Sequence, residues 1–367
     1  MRWTLTGVFC CAFVLGILMS LLVRALGLKW HSLPRVWRYG AYAEPQVVGG
    51  GAAMLPATAL PILLVCLAAA LVDWNPSLLP AAEPIEQAIR AASRSFPALA
   101  TALLGGAAIA VLGLWDDIEG LKPTVKFIGI LALAGATATV PQVRIVPLAG
   151  SPLIRAGLAV LWVALLTYCF SLFADTEGQC VLVAFLSGGA LLVLALQTDR
   201  GAAAALLLAF SGGALGLLPF NFPRASILPG KSGAMFAGYV LAVSTGLAAP
   251  PSGKGIGPAF PLVVALTVFA VPLWDALSMG LARLSASGDE RRPGNLTTRL
   301  VRIGLSERLA LLAIGLLVAA TAGGATIPYG GPIWRAMVPL VQAGAIGAVV
   351  ILLAVATRKT EGSSATD

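Results

Sequence analysis

The chain has 367 residues, of which 58% are hydrophobic and 11% are charged, and its formal net charge is +8. Soluble domains carry about a quarter charged residues, so this composition excludes an ordinary water-soluble enzyme. The basic residues border apolar segments and form no soluble basic face, so we predict no nucleic-acid partner.

Segments that are long and apolar enough to cross a bilayer recur along the chain. In lipid the backbone must be paired within the segment, so these spans should be helices. The sequence therefore predicts an all-α, polytopic integral membrane helix bundle with about 11 transmembrane helices, forming one domain over 1–357 with a short cytoplasmic tail at 358–367. In chain order the predicted spans are 4–27, 48–72, 97–115, 124–140, 153–173, 180–197, 202–219, 233–250, 257–282, 308–327 and 335–357.

Four polar connections interrupt these spans. They are a loop near 28–47, an amphipathic stretch near 74–96 that we predict to be an interfacial helix on the outer face, an acidic turn at 116–123 and an arginine-rich loop at 283–308. With the N-terminus outside, sixteen of the 24 Lys and Arg residues fall on inner connections or the tail. The positive-inside rule therefore predicts an outer N-terminus and a cytoplasmic C-terminus.

The first candidate cluster is an acid pair at the end of the third predicted span. Asp116 and Asp117 are adjacent, and Lys126 follows one turn into the fourth span. Adjacent carboxylates repel each other, so they favour a divalent cation, a metal-bridged phosphate or a lysine partner. The alternative is a solvated turn with a lysine counter-charge.

Two further clusters lie where predicted spans meet the inner surface. Asp175 and Glu177 follow the fifth span. The alternative to a functional role for these two acids is a helix-terminating loop. Asn221 follows the seventh span, and a glycine-bounded turn that contains Lys231 opens the eighth. Backbone amides at such a helix N-terminus can bind phosphate, although the spacing of a Walker loop is absent.

The fourth cluster is basic and precedes the tenth predicted span. Arg299 ends the segment 295–299, and Arg291, Arg292 and Arg302 surround it. Guanidinium groups suit nucleotide diphosphates or lipid headgroups. The alternative is a positive-inside anchor.

Taken in order, these clusters resemble the polyprenyl-phosphate N-acetylhexosamine-1-phosphate transferases. This family contains the muramoyl-pentapeptide translocase and the transferases that initiate O-antigen and teichoic acid synthesis. The resemblance extends from about Leu26 to about Leu312. Its best stretches are the acid pair with Lys126, the segment 213–223 and the Pro-Leu-Trp-Asp sequence at 272–275.

The resemblance implies transfer of a sugar-1-phosphate from a UDP-sugar to undecaprenyl (polyprenyl) phosphate for cell-envelope polysaccharide synthesis. It implies Mg²⁺ as cofactor, and the cytoplasmic face of the bacterial inner membrane as the location. For a protein partner, the resemblance leaves two alternatives, namely a second copy of the chain or a partner transferase. By position, the implied roles are catalytic for Asp116, Asp117 and Asp175, metal-binding for Asp117 and Asp175, and substrate-binding for Lys126, Glu177, Asn221, Lys231 and Arg299.

The chain departs from the family where chemistry is expected. Lys231 replaces the acid of the family's Gly-Asp-Thr/Ser-Gly turn, and Asn295, Thr297 and Thr298 occupy a segment in which the family has histidines. An ammonium group cannot bind Mg²⁺, so the ion could be lost or its charge partly replaced by Lys231.

Three functions therefore stay open, and so does the question whether the chain is an enzyme. The first is an active or altered transferase. The second is a catalytically degenerate pseudoenzyme that binds polyprenyl phosphate, a nucleotide-sugar or a partner transferase. A membrane transporter is the weakest alternative, because the sequence lacks internal repeats.

Overall fold

The computed structural model describes residues 2–30, 35–37, 45–74, 83–143, 151–249, 260–284, 294–326 and 341–350. These residues form a helical membrane bundle with a small sheet at one end. The predicted tail at 358–367, Arg291 and Arg292 lie outside the described residues. The helices are α1 (Arg2–Trp30), α2 (Gly50–Trp74), α3 (Glu83–Glu119), α4 (Pro123–Ala138), α5 (Pro152–Ser171), α6 (Gln179–Gln197), α7 (Gly201–Asn221), α8 (Gly230–Ala248), α9 (Phe260–Val268), α10 (Ala270–Leu284), α11 (Leu296–Arg302), α12 (Glu307–Thr326) and α13 (Val341–Val350).

Every predicted span overlaps a helix in the described part of the chain, so the prediction of an all-α polytopic membrane protein is confirmed. Seven of these helices are long and apolar enough to cross a membrane, and the pair α9 and α10 would make an eighth. This pair is bent by 67°, so the single span predicted over 257–282 is broken. Helices α4 and α13 are shorter apolar helices.

Helix α8 lies at the centre of the bundle. Its residues from Ser232 to Ala248 are all buried, and it packs against α2, α3, α5 and α6. Many of these residues are glycine, alanine or serine, which allow helix backbones to approach closely where no hydrophobic force drives association. By contrast, Leu104, Ile128 and Leu316 on the peripheral helices α3, α4 and α12 are more than half exposed, as expected for side chains that face lipid.

Three short strands form a small sheet at one end of the bundle. Strand β1 (Arg35–Trp37) pairs antiparallel with β2 (Pro45–Val48), which pairs in parallel with β3 (Ile227–Leu228). The loop predicted near 28–47 therefore contains two strands. Because β2 leads into α2 and β3 leads into α8, the sheet fixes the N-terminal ends of these helices side by side.

Helix α3 differs from the prediction at both ends. It continues as one helix from Glu83, so the stretch predicted as a separate interfacial helix is joined to the span over its described part. It ends at Glu119, so Asp116 and Asp117 lie in its last turn and not in a loop. A helical backbone holds these two side chains more firmly than the predicted turn would.

Candidate functional site

Asp117 caps the N-terminus of α8. Its Oδ1 accepts a hydrogen bond from the backbone N–H of Lys231 at 2.9 Å, and its Oδ2 accepts one from Ser232 at 3.1 Å. The first N–H groups of a helix have no partner within the helix and carry partial positive charge. The position that the sequence predicted for a phosphate is therefore filled by a carboxylate of the chain itself.

Two glycines make this contact possible. A Cβ at Gly113 would lie 2.6 Å from the Cα of Ser232, so only glycine lets α3 approach the start of α8 this closely. Gly230 has a φ of +65°, and a Cβ there would lie 2.7 Å from Asp117 Oδ2. This left-handed conformation suits glycine because it has no Cβ. The glycine-bounded turn is thus shaped around Asp117.

Asp116 lies between two lysines. Its Oδ1 is 3.1 Å from Lys231 Nζ, and its Oδ2 is 3.2 Å from Lys126 Nζ. Oδ1 also accepts a hydrogen bond from the N–H of Leu121 at 2.9 Å, and Lys231 Nζ donates to the carbonyl of Asp116 at 3.2 Å. We call Asp116, Asp117, Lys126 and Lys231 the acid–lysine cluster. It joins the end of α3 to the starts of α4 and α8.

Exposure differs strongly within the cluster. The side chain of Asp116 is 3% exposed and that of Lys126 is 11% exposed, whereas that of Lys231 is 29% exposed. Lys126 also lies over the ring of Tyr168, with Nζ 5.8 Å from the ring centroid. Lys231 is therefore the lysine of this cluster that a ligand reaches most easily.

A cleft of about 650 Å³ opens beside the turn between α5 and α6. Asp175 is exposed in this turn, and it is close enough to Asp117 for their like charges to repel. Glu177 Oε1 accepts a hydrogen bond from Gln46 Nε2 at 2.8 Å, which joins the turn to β2. The cleft is lined by Gln46, Asp175, Thr176, Glu177, Phe222, Pro223, Leu228, Asn295, Thr297, Thr298, Val301, Arg302 and Glu307.

Asn221 does not line this cleft, although the resemblance implied that it would. It is fully buried at the end of α7. Its Oδ1 accepts a hydrogen bond from the N–H of Gly178 at 2.8 Å, and its Nδ2 donates to the carbonyl of Ile227 at 2.9 Å. Both polar atoms of the amide therefore form hydrogen bonds with the backbone, and Asn221 fixes the turn between α5 and α6 to β3.

Arg299 is also buried, within a polar network beneath the cleft. Its Nη1 donates to Ser278 Oγ at 2.6 Å and lies 3.9 Å from Asp275 Oδ1. Asp275 Oδ2 accepts hydrogen bonds from Gln179 Nε2 at 3.1 Å and from the N–H of Leu296 at 3.0 Å. This network fixes the start of α11, which carries Thr297 and Thr298 into the cleft wall.

The structure thus separates the predicted site residues into three places. Asp116, Asp117, Lys126 and Lys231 form the acid–lysine cluster, Asp175 and Glu177 line the cleft, and Asn221 and Arg299 are buried. Sequence reasoning did not assign site roles to Gln46, Gln179, Asp275 or Ser278. Of these, Asp275 had a usable signal, because a lone carboxylate inside an apolar span needs a partner.

The donor atoms of the acid–lysine cluster do not suit a divalent cation. Mg²⁺ takes six oxygen ligands at about 2.1 Å. Here each carboxylate oxygen of Asp116 and Asp117 already contacts a nitrogen donor, and both lysine ammonium groups adjoin Asp116. Among the described residues no group of three or more His, Cys, Asp or Glu side chains could hold a metal ion. The Mg²⁺ implied by the resemblance therefore does not fit the acid–lysine cluster, and the metal-binding role of Asp175 stays a prediction.

Comparison with known proteins gives a consistent set of relatives. The sequence model of glycosyl transferase family 4 matches residues 99–248, which contain the acid–lysine cluster and the turn between α5 and α6. A decaprenyl-phosphate N-acetylglucosaminephosphotransferase of Mycobacterium tuberculosis (strain ATCC 25618 / H37Rv) is 32% identical over 251 residues, covering 61% of this chain and 62% of that protein. The corresponding protein of Mycobacterium leprae (strain TN) is 30% identical, covering 61% and 63%.

A more distant relative comes from Bacillus subtilis (strain 168). Its name is "Probable undecaprenyl-phosphate N-acetylglucosaminyl 1-phosphate transferase", and it is 26% identical over 223 residues, covering 58% of this chain and 61% of that protein. The chain therefore spans less than two thirds of the length of these relatives.

Proposed function

We propose that this chain, whose residues 99–248 match the model of glycosyl transferase family 4, transfers a sugar-1-phosphate from a UDP-sugar to a polyprenyl phosphate. In this reaction a phosphate oxygen of the lipid attacks the phosphorus that carries the sugar. A new diphosphate bond forms, the bond to the bridging oxygen breaks, and UMP leaves with the electron pair. The products are a polyprenyl diphosphate sugar and UMP. The chemistry needs positive charge near the phosphates and a cleft for the nucleotide-sugar.

One observation carries the proposal. Residues 99–248 include four segments that converge at one end of the bundle next to the cleft. They are the end of α3, the start of α4, the turn between α5 and α6, and the start of α8. Lys126 and Lys231 supply positive charge there, and Asp175 supplies an exposed carboxylate on the cleft wall. We assign the lipid phosphate to the lysines and the UDP-sugar to the cleft.

The proposed location is the cytoplasmic face of a bacterial inner membrane, with the N-terminus outside and the C-terminus inside. In the topology predicted from the sequence, most of the Lys and Arg residues fall on inner connections, which supports this orientation. A polyprenyl phosphate could then reach the site from the lipid phase, with a UDP-sugar entering from the cytoplasm.

A binding protein without turnover is the second candidate. It is favoured by the acid–lysine cluster, whose carboxylates are already occupied by lysines and backbone N–H groups. Such a protein would hold polyprenyl phosphate or a nucleotide-sugar without joining them.

The test is release of UMP by the purified full-length protein from a panel of UDP-sugars and undecaprenyl phosphate. We expect turnover that falls about 100-fold or more in Asp175→Asn, because general acid–base or positioning groups contribute on this scale. Asp199→Asn is the matched control, since Asp199 is exposed at the opposite end of α6. Saturable ligand binding with no UMP from any UDP-sugar would favour the second candidate.

A further inference from the structure

We propose that Lys231 takes the electrostatic place of a divalent cation, so that this chain binds a lipid phosphate monoester through Lys231 without a bound metal ion, while the more buried Lys126 contributes its charge. This inference rests on the proposed function for the choice of ligand. It concerns a different property, namely how the charge of the phosphate is neutralised.

The ammonium group of Lys231 lies beside the acid pair. Lys231 Nζ lies 3.1 Å from Asp116 Oδ1, while the backbone N–H of the same residue binds Asp117. One residue therefore contacts both members of the acid pair. A divalent ion bound to Asp116 would lie within a few ångströms of two ammonium groups, where like-charge repulsion is strong. The ion and Lys231 thus exclude each other.

Lys231 keeps a hydrogen-bond donor for a ligand. An ammonium group has three N–H donors. Lys231 Nζ contacts Asp116 Oδ1 and the carbonyl oxygen of Asp116, which leaves one donor for a ligand oxygen. Because this side chain is 29% exposed, that donor is accessible in a way that the more buried Lys126 is not.

The two lysines supply the positive charge of the cluster. Lys126 and Lys231 together carry two positive charges, and both adjoin the single negative charge of Asp116. Asp117 balances the remaining charge formally, but its two oxygens accept hydrogen bonds from the backbone N–H groups of Lys231 and Ser232. The positive charge that a phosphate monoester would meet at Lys231 is covalently part of the chain, whereas a metal ion would have to be recruited from solution.

The test measures binding of undecaprenyl phosphate to the full-length protein in nanodiscs, with EDTA or with Mg²⁺, and binding of Mn²⁺ by electron paramagnetic resonance. For the unaltered chain we expect equal lipid affinity in both conditions and no stoichiometric Mn²⁺ binding. Affinity that disappears in EDTA and returns with Mg²⁺ would overturn the inference and leave the proposed function intact. Since this arm uses no variant, it does not depend on a substitution being tolerated.

Variants at position 231 test the role of Lys231 itself. We expect Lys231→Ala to weaken undecaprenyl phosphate binding about tenfold or more, as for loss of a charge-assisted hydrogen bond, while Lys122→Ala, at an exposed position before α4, leaves it unchanged. Lys231→Asp should acquire Mn²⁺ binding, because it adds a carboxylate beside Asp116 and Asp117. Equal lipid binding by Lys231→Ala and the unaltered chain would overturn the inference.

A final arm separates the phosphate from the lipid tail. Undecaprenol, which lacks the phosphate, should bind at least about tenfold more weakly than undecaprenyl phosphate. Equal binding of the two lipids would overturn the assignment of the phosphate to Lys231. If no variant binds undecaprenyl phosphate with or without Mg²⁺, the proposed function fails, and the inference fails with it.

Discussion

Asp117 Oδ1 accepts a hydrogen bond from the backbone N–H of Lys231 at 2.9 Å, although the two residues are 114 positions apart in the chain. The bond places a carboxylate at the N-terminus of the central helix. It makes α3 and α8 one unit at the end of the bundle that carries the candidate site. The stability of that unit can be measured separately from any activity.

The first prediction concerns Asp117→Asn. The amide keeps one oxygen acceptor but loses the negative charge that faces the helix N-terminus. We expect the free energy of unfolding to fall by about 1–2 kcal/mol, the scale of a partly buried charge at a helix end. Unfolding by SDS in mixed micelles measures it. Unchanged unfolding free energy would show that the cap contributes nothing to stability. Asp175→Asn serves as the comparison, because Asp175 is exposed.

Sequence reasoning located the helices well, because length and apolarity are local properties of each segment. It also gave a lysine partner for the acid pair as one possibility beside a divalent cation, and Lys126 does contact Asp116. The pairing of Asp116 with Lys231 depends on how α3 meets α8, which no local pattern encodes. The alternative of a solvated turn does not describe Asp116, which is buried in the last turn of a helix.

The residues whose roles were carried over by resemblance lie in different surroundings in the structure. Asn221 was assigned to the cleft, yet its amide holds the N–H of Gly178 and the carbonyl of Ile227. Arg299 was assigned to substrate, yet it is 3% exposed and contacts Ser278. A motif fixes a position along the chain, but tertiary packing decides which way a side chain points. The substrate roles of Lys126, Glu177, Asn221, Lys231 and Arg299 all stay predictions.

The second prediction concerns Asn221→Ala. The change leaves the N–H of Gly178 and the carbonyl of Ile227 without their amide partner in a buried position. Each buried group left unpaired costs about 1–3 kcal/mol, so for the two groups we expect a loss of about 2–6 kcal/mol in unfolding free energy. Gln197→Ala, which removes an exposed amide at the end of α6, should leave stability unchanged. Similar values for both variants would contradict the structural role of Asn221.

The third prediction concerns the buried pair Asp275 and Arg299. Arg299→Met removes the guanidinium and leaves the carboxylate of Asp275 buried without its cation, so we expect a loss of about 3–5 kcal/mol. In Asp275→Asn combined with Arg299→Met that carboxylate is gone. A double-mutant cycle should therefore show the combined loss to be smaller than the sum of the single losses by about 1–3 kcal/mol. Additive losses would indicate that the two side chains do not interact.

The fourth prediction concerns Gly113→Ala, which tests the close approach of α3 to α8. The new methyl group would lie 2.6 Å from the Cα of Ser232, a backbone atom that cannot move aside without shifting the start of α8. We expect unfolding free energy to fall by about 1–3 kcal/mol, as for other overpacked sites.

Gly189→Ala is the matched control for this change. Gly189 also lies inside a helix, and nothing lies within 4 Å of the position that its Cβ would take. Alanine there should raise stability by about 0.5–1 kcal/mol, because glycine loses more backbone freedom on folding. Because Gly113 faces the residues that bind Asp117, Gly113→Ala should also weaken undecaprenyl phosphate binding through a displaced Lys231, whereas Gly189→Ala should not. Equal effects of the two substitutions on stability and on lipid binding would contradict the observed packing of α3 against α8.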